Sequence, residues 1–129
     1  KGTPISLNLD PQVAPIRLKP RRVPLALKSK VDAQLDKLIA QGVLEPVDFA
    51  KWETPIVIPL KKDGSIRVCS DYKSTLNRAL QPSAYPVPII QHLLHSLGGN
   101  SIFSKLDMTQ AYQQFPVDSD TAEAQTIVT

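Results

Sequence analysis

The 129 residues predict an α+β domain. Three local patterns carry that prediction. One helical apolar stripe lies early in the chain, a hairpin pattern follows it, and a second apolar helix pattern ends at Gly98-Gly99.

Pro24 to Gln41 reads as a helix. Leu27, Val31, Leu35, Leu38 and Ile39 recur at steps of three and four, and Lys28, Asp32, Asp36 and Lys37 fill the opposite side. Pro24 suits the first turn and Gly42 the stop. Thr54–Leu60 reads as a strand rich in β-branched residues, with Ser65–Ser70 as its partner. Asp63-Gly64 between them is a hairpin signal, because glycine accepts positive φ. Pro55 and Pro59 point to an edge strand or a bulge, since proline lacks a ladder donor. A short helix is expected within Asp71–Ala79. Pro88–Leu97 reads as a helix with Ile89, Ile90, Leu93, Leu94 and Leu97 on one broad face. Ser101–Leu106 reads as a strand ending on Asp107, Met108–Gln114 as a helical turn, and Thr126–Val128 as a further strand.

Composition is that of an ordinary globular protein. Cys69 is the lone cysteine, which excludes an internal disulfide and a cysteine zinc cluster. No apolar run approaches the roughly 18–20 residues that span a membrane. The net charge of +3 is unevenly placed. Residues 1–30 carry Lys1, Arg17, Lys19, Arg21, Arg22, Lys28 and Lys30 against Asp10 alone. Such a front end favours a polyanionic partner, with a solvated tail as the alternative. Pro4, Pro11, Pro15, Pro20 and Pro24 make the same stretch extended, an arm that must lie along something to be ordered.

The segment that carries chemistry is Ile102-Phe103-Ser104-Lys105-Leu106-Asp107-Met108-Thr109-Gln110-Ala111-Tyr112. An apolar strand delivers one carboxylate, followed by small residues and an aromatic. Alone, such an Asp reads as a turn or helix cap. In nucleotidyl transfer, carboxylates hold two divalent metals about 3.5–4 Å apart.

The run from Phe103 to Val117 resembles the first carboxylate motif of reverse transcriptases, most of all the gypsy-like group of LTR retrotransposons. Leu38–Pro46, Trp52–Val57, Lys61–Lys73, Tyr85–Pro88 and Leu97–Gly99 are similar to further segments of that family. The resemblance implies reverse-transcriptase fingers with the first half of a polymerase palm. Its parts would be an extended basic arm (1–23), fingers (24–82), the start of the palm (83–114) and a return into the fingers (115–129). It implies Asp107 as catalytic carboxylate and metal ligand, with the Met108 carbonyl also on metal. Lys62 and Arg67 would grip the triphosphate of a dNTP, with Lys61 the alternative to Lys62. Gln110 and Ala111 would offer N–H groups to it, and Tyr112 would be the steric gate under the sugar. Two Mg2+ ions, an RNA or DNA template-primer, and the remaining palm, thumb and RNase H of a pol polyprotein are the implied cofactors and partners. The implied setting is intracellular, in a cytoplasmic particle or the nucleus. Ser70 departs from the glycine frequent in relatives. The family's second motif, Tyr-x-Asp-Asp, is missing, and no Asp-Asp pair occurs. The chain alone is therefore expected to be inactive.

Other residues read as structural. His92 and His95 are partly exposed helix positions, Cys69 an inward small residue, and Trp52 and Phe49 buried anchors. Asp118, Asp120 and Glu123 form an acidic surface loop, and Asp71 pairs with a cation across the hairpin. Two rival functions stand beside the polymerase segment: a non-catalytic nucleic-acid-binding module and an interaction remnant of a retroelement.

Overall fold

The computed structural model describes residues 2–83 and 85–129. Lys1, counted among the arm's cations, and Ala84, in the expected palm segment, lie outside them.

Helix α1 runs Leu25–Ala40, with Pro24 as its N-cap. Its end is a Schellman motif. Gly42 adopts a φ of 70°. The Gly42 N–H donates to the Ile39 carbonyl and the Val43 N–H to the Leu38 carbonyl, both at 2.9 Å. Glycine suits this position because it takes positive φ without a Cβ clash. The predicted stripe is the packing face, except that Ile39 is exposed. Val31 is buried with Ile56 and Ile66, and Leu27 and Leu35 pack on the same cluster.

Strand β1 is Thr54–Val57 and β2 is Cys69–Ser70. They pair antiparallel, Ile56 opposite Ser70 and Val57 opposite Cys69. The same register continues to a bridge between Leu60 and Ile66. The turn closes with the Lys61 N–H on the Ser65 carbonyl at 2.8 Å and the Gly64 N–H on the Lys61 carbonyl at 3.0 Å. Gly64 has a φ of 77°, so the loop is a tight turn followed by a left-handed residue.

The edge assignment of this strand is overturned. Strand β3, Ile127–Val128, pairs parallel with β1, and the order β2-β1-β3 puts β1 in the centre. The prolines are tolerated because they sit where only their carbonyls are used. Pro55 accepts from the Asp71 N–H and Pro59 from the Arg67 N–H, each at 3.0 Å. Each position gives up the reciprocal bond, which leaves the ladder broken into short pieces.

The expected helix after Asp71 is two short 3-10 turns, Tyr72–Ser74 and Leu76–Arg78. They carry one wall of a second core of Trp52, Leu76, Ala79 and Ala124. Thr75, between the turns, shares a hydroxyl hydrogen bond of 2.6 Å with Thr54 of β1, and both are fully buried. Helix α3, Ser119–Ala124, supplies Ala124. This helix replaces the expected acidic loop, with Asp118 as its N-cap.

The proline-rich arm is extended, and it lies along this second core. Leu7, Leu9, Val13 and Ile16 pack against the Trp52 cluster. Backbone bonds fasten it along its length, from the Ile5 N–H on the Pro116 carbonyl at 2.9 Å to the Leu18 N–H on the Glu53 carbonyl at 3.0 Å. Trp52 is buried as expected at 6% exposed, whereas Phe49 is 72% exposed. Phe49 instead lies under the guanidinium of Arg17, 5.4 Å from the ring centre.

Helix α2 is Ile90–Leu97 and buries no residue. The strand expected over Ser101–Leu106 is not formed. A strand needs a neighbour for its backbone groups, and none lies beside this segment among the described residues. The α2 helix likewise backs no palm sheet among them.

Candidate nucleotide-binding hairpin

The hairpin displays its cations on one face. Ile66 and Val68 point into the α1 cluster. Alternation therefore places Arg67 and Cys69 on the opposite face. There, Pro59, Leu60, Lys61, Lys62, Asp63, Arg67 and Cys69 line an open pocket of about 530 Å³. Cys69 is thus half-buried beside cations, not on the inner face as expected.

Asp63 is the one acid of this pocket lining, and its carboxylate is already engaged. Its Oδ1 accepts from the Ser65 N–H at 2.9 Å and the Ser65 hydroxyl at 2.6 Å. Those bonds, the hydroxyl's first, hold its pKa below the usual carboxylate range, with a smaller contribution from Lys61. The lining thus has a local excess of positive charge, from three basic side chains against one acid. Such a surface suits a phosphate chain, since Lys neutralises phosphate as a point charge and Arg by paired N–H donors.

Part of the arm's charge is neutralised within the fold. Arg17 pairs with Glu53 at 2.5 Å, and Arg21 pairs with Asp71. The partner of Asp71 therefore comes from the arm and not from across the hairpin.

The carboxylate motif stands apart from the hairpin pocket. Asp107, Met108, Gln110, Ala111 and Tyr112 do not line it. Asp107 is exposed on a segment without regular structure, and Tyr112 is 95% exposed. Gln110 is the one non-glycine residue with positive φ among those described, at 51°. It leads into a 3-10 turn, Ala111–Gln114, closed by the Gln113 N–H on the Gln110 carbonyl at 2.9 Å. A left-handed residue before a helical turn directs successive N–H groups outward, a geometry suited to anions.

One carboxylate is a fitting ligand for a hard divalent cation, but a two-metal centre needs more. Among the described residues, no three His, Cys, Asp or Glu side chains come together. The residues present therefore do not make up a two-metal site. His92 and His95 lie on α2 as expected, but both are exposed and not partly so. Lys30 was not singled out by sequence. Its Nζ donates to the Gly64 carbonyl at 3.0 Å. No local pattern announces a bond between a helix side chain and a backbone carbonyl 34 residues away.

No family model matches the chain. It is 35% identical over 113 residues to the uncharacterized protein K02A2.6 of Caenorhabditis elegans, covering 86% of this chain and 9% of that protein. It is 43% identical over 58 residues to the transposon Tf2-3 polyprotein of Schizosaccharomyces pombe, covering 45% of this chain and 4% of the polyprotein. This chain thus spans a small fraction of each relative. Among solved structures, the foamy viral protease-reverse transcriptase in complex with dsDNA matches all of this chain and 26% of its own, with a TM-score of 0.79 and 21% identity. Native prototype foamy virus protease-reverse transcriptase matches 98% of this chain and 17% of its own, with a TM-score of 0.79 and 20% identity. The chain is therefore similar in sequence to a retrotransposon polyprotein and shares its fold with one part of the foamy viral protease-reverse transcriptase.

Proposed function

We propose that this chain is the fingers and first part of the palm of an RNA-directed DNA polymerase from a gypsy-like retroelement. The parts are the arm at 1–23, fingers at 24–82, palm start at 83–114 and return at 115–129. The observation that carries the reading is the hairpin pocket, where Lys61, Lys62 and Arg67 converge with their one acid engaged. In this reading Lys62 and Arg67 hold the triphosphate of a dNTP. Gln110 and Ala111 offer it backbone N–H groups, and Tyr112 lies under the sugar.

Asp107 and the Met108 carbonyl are proposed metal ligands for Mg2+ in the complete enzyme, which must supply further carboxylates. When bound, the metals would neutralise charge as a primer 3′-hydroxyl attacks the triphosphate. A template-primer duplex is the proposed partner, and the relatives that hold dsDNA support that choice. The chain by itself is expected to extend no primer.

The test is steady-state nucleotide incorporation by a polymerase that carries this segment. Lys62→Ala and Arg67→Ala should each lower kcat/KM for dNTP about ten- to a hundredfold, the worth of one charged hydrogen bond. Template-primer affinity should change little. Wild-type kcat/KM in both variants would remove the hairpin from nucleotide binding.

A further inference from the structure

We infer that Lys30 is a positioning residue for the hairpin's phosphate grip, holding the tip of the turn to helix α1. The inference rests on the triphosphate reading of the hairpin. Lys30 precedes Val31, which is buried against Ile56 and Ile66. The backbone at Lys30 is therefore fixed by the core, while its ammonium reaches the far end of the hairpin. There it meets the Gly64 carbonyl at 3.0 Å.

The turn depends on that contact for its outer anchor. Its internal bonds join Lys61 to Ser65 and Gly64 to Lys61. Asp63 is closed onto Ser65. Each of these bonds lies within Lys61–Ser65, and none ties the tip to the body of the fold. The strand ladder below is weakened at Pro59, which offers only its carbonyl to Arg67. The Leu60–Ile66 bridge and the burial of Ile66 hold the base of the turn, which leaves its outer end at Gly64 to be held from outside. Lys30 is placed to do so from α1; Lys62 lies within the turn it holds, and Arg67 lies on the segment that leaves the turn toward β2. A displaced tip would carry Lys62 away from Arg67, and two phosphates could then no longer be engaged together.

The alternative role for Lys30 is direct contact with phosphate. The two roles separate in one experiment on the 129-residue chain. Amide hydrogen exchange at Lys61 and Gly64 reports the turn, and titration with inorganic tripolyphosphate reports the grip. Lys30→Met removes the donor and keeps the stem, and Lys30→Arg keeps a donor. Lys30→Met is expected to speed exchange at both amides and to weaken tripolyphosphate binding about fivefold, in line with one exposed charge-assisted bond. Lys30→Arg should restore both. Weakened binding with unchanged exchange would overturn the inference in favour of direct contact. Faster exchange with unchanged binding, or no change in either, would also overturn it. Lys62→Met and Arg67→Met serve as controls. If neither weakens tripolyphosphate binding, the grip itself is wrong, and the inference falls with it while the exchange data still show whether Lys30 holds the turn.

Discussion

Asp118 joins the arm to helix α3 through one side chain. Its carboxylate accepts from the Thr121 N–H at 2.8 Å at the start of α3 and from the Ser6 hydroxyl of the arm. The Thr121 hydroxyl in turn accepts from the Leu7 N–H at 2.9 Å. The Ser6 bond first, and then those from Thr121, hold the Asp118 carboxyl below the usual carboxylate range. A depressed folded-state pKa stabilises the fold above the unfolded value and loses that effect as pH falls through the folded one. Asp118→Ala should therefore lower the thermal midpoint by a few degrees at neutral pH. The gap from wild type should stay constant above about pH 5 and narrow below about pH 4. A thermal melt series against pH checks this, and a gap unchanged into strong acid would contradict it. Sequence alone read Asp118 as part of an acidic loop. Its capping role was obscured because the helix it starts is only six residues long.

Elements were legible where their signal is local. The α1 stripe, the Gly42 stop and the Asp63-Gly64 turn are all set by neighbours within a few residues, and each is formed. The centre of the sheet was not legible. Proline predicts an edge only if its missing N–H would have been needed, and at Pro55 and Pro59 the fold uses the carbonyl alone. The arm was legible as extended, but its docking surface was not. Leu7, Leu9, Val13 and Ile16 keep no single period along the arm, mixing a step of two with steps of four and three, so no one pattern marks them as one packed face. Removing residues 1–16 should therefore expose the indole. The emission of Trp52, the sole tryptophan, should move to the red and thermal unfolding should lose cooperativity. An unshifted spectrum in the truncated chain would show that the arm is dispensable to the core.

At the scale of the molecule, packing is unevenly distributed. The two cores lie within the arm, α1, the sheet, the 3-10 turns and α3. The stretch from Tyr85 to Phe115 leaves Ile90, Leu94, Ile102 and Leu106 in solvent, with Leu106 94% exposed. An eight-residue helix with no buried face has little to hold it, since isolated helices shorter than about 12–15 residues are marginal in water. Amides of α2 should thus exchange far faster than those of α1 in dilute, monomeric chain. Equal protection would contradict the unpartnered face. The same surface invites self-association at high concentration. The predicted Ser101–Leu106 strand failed for the same reason. Its residues have strand propensity, but propensity without a pairing neighbour does not make a strand.

The proposed catalytic role of Asp107 lies on this unpacked stretch, so it is best tested in a polymerase that carries the segment. Primer extension should be measured for wild type and Asp107→Asn, with template-primer affinity measured in parallel. Loss of a metal-binding carboxylate should lower extension by at least about a thousandfold while affinity is retained. Extension by Asp107→Asn at the wild-type rate would contradict the account.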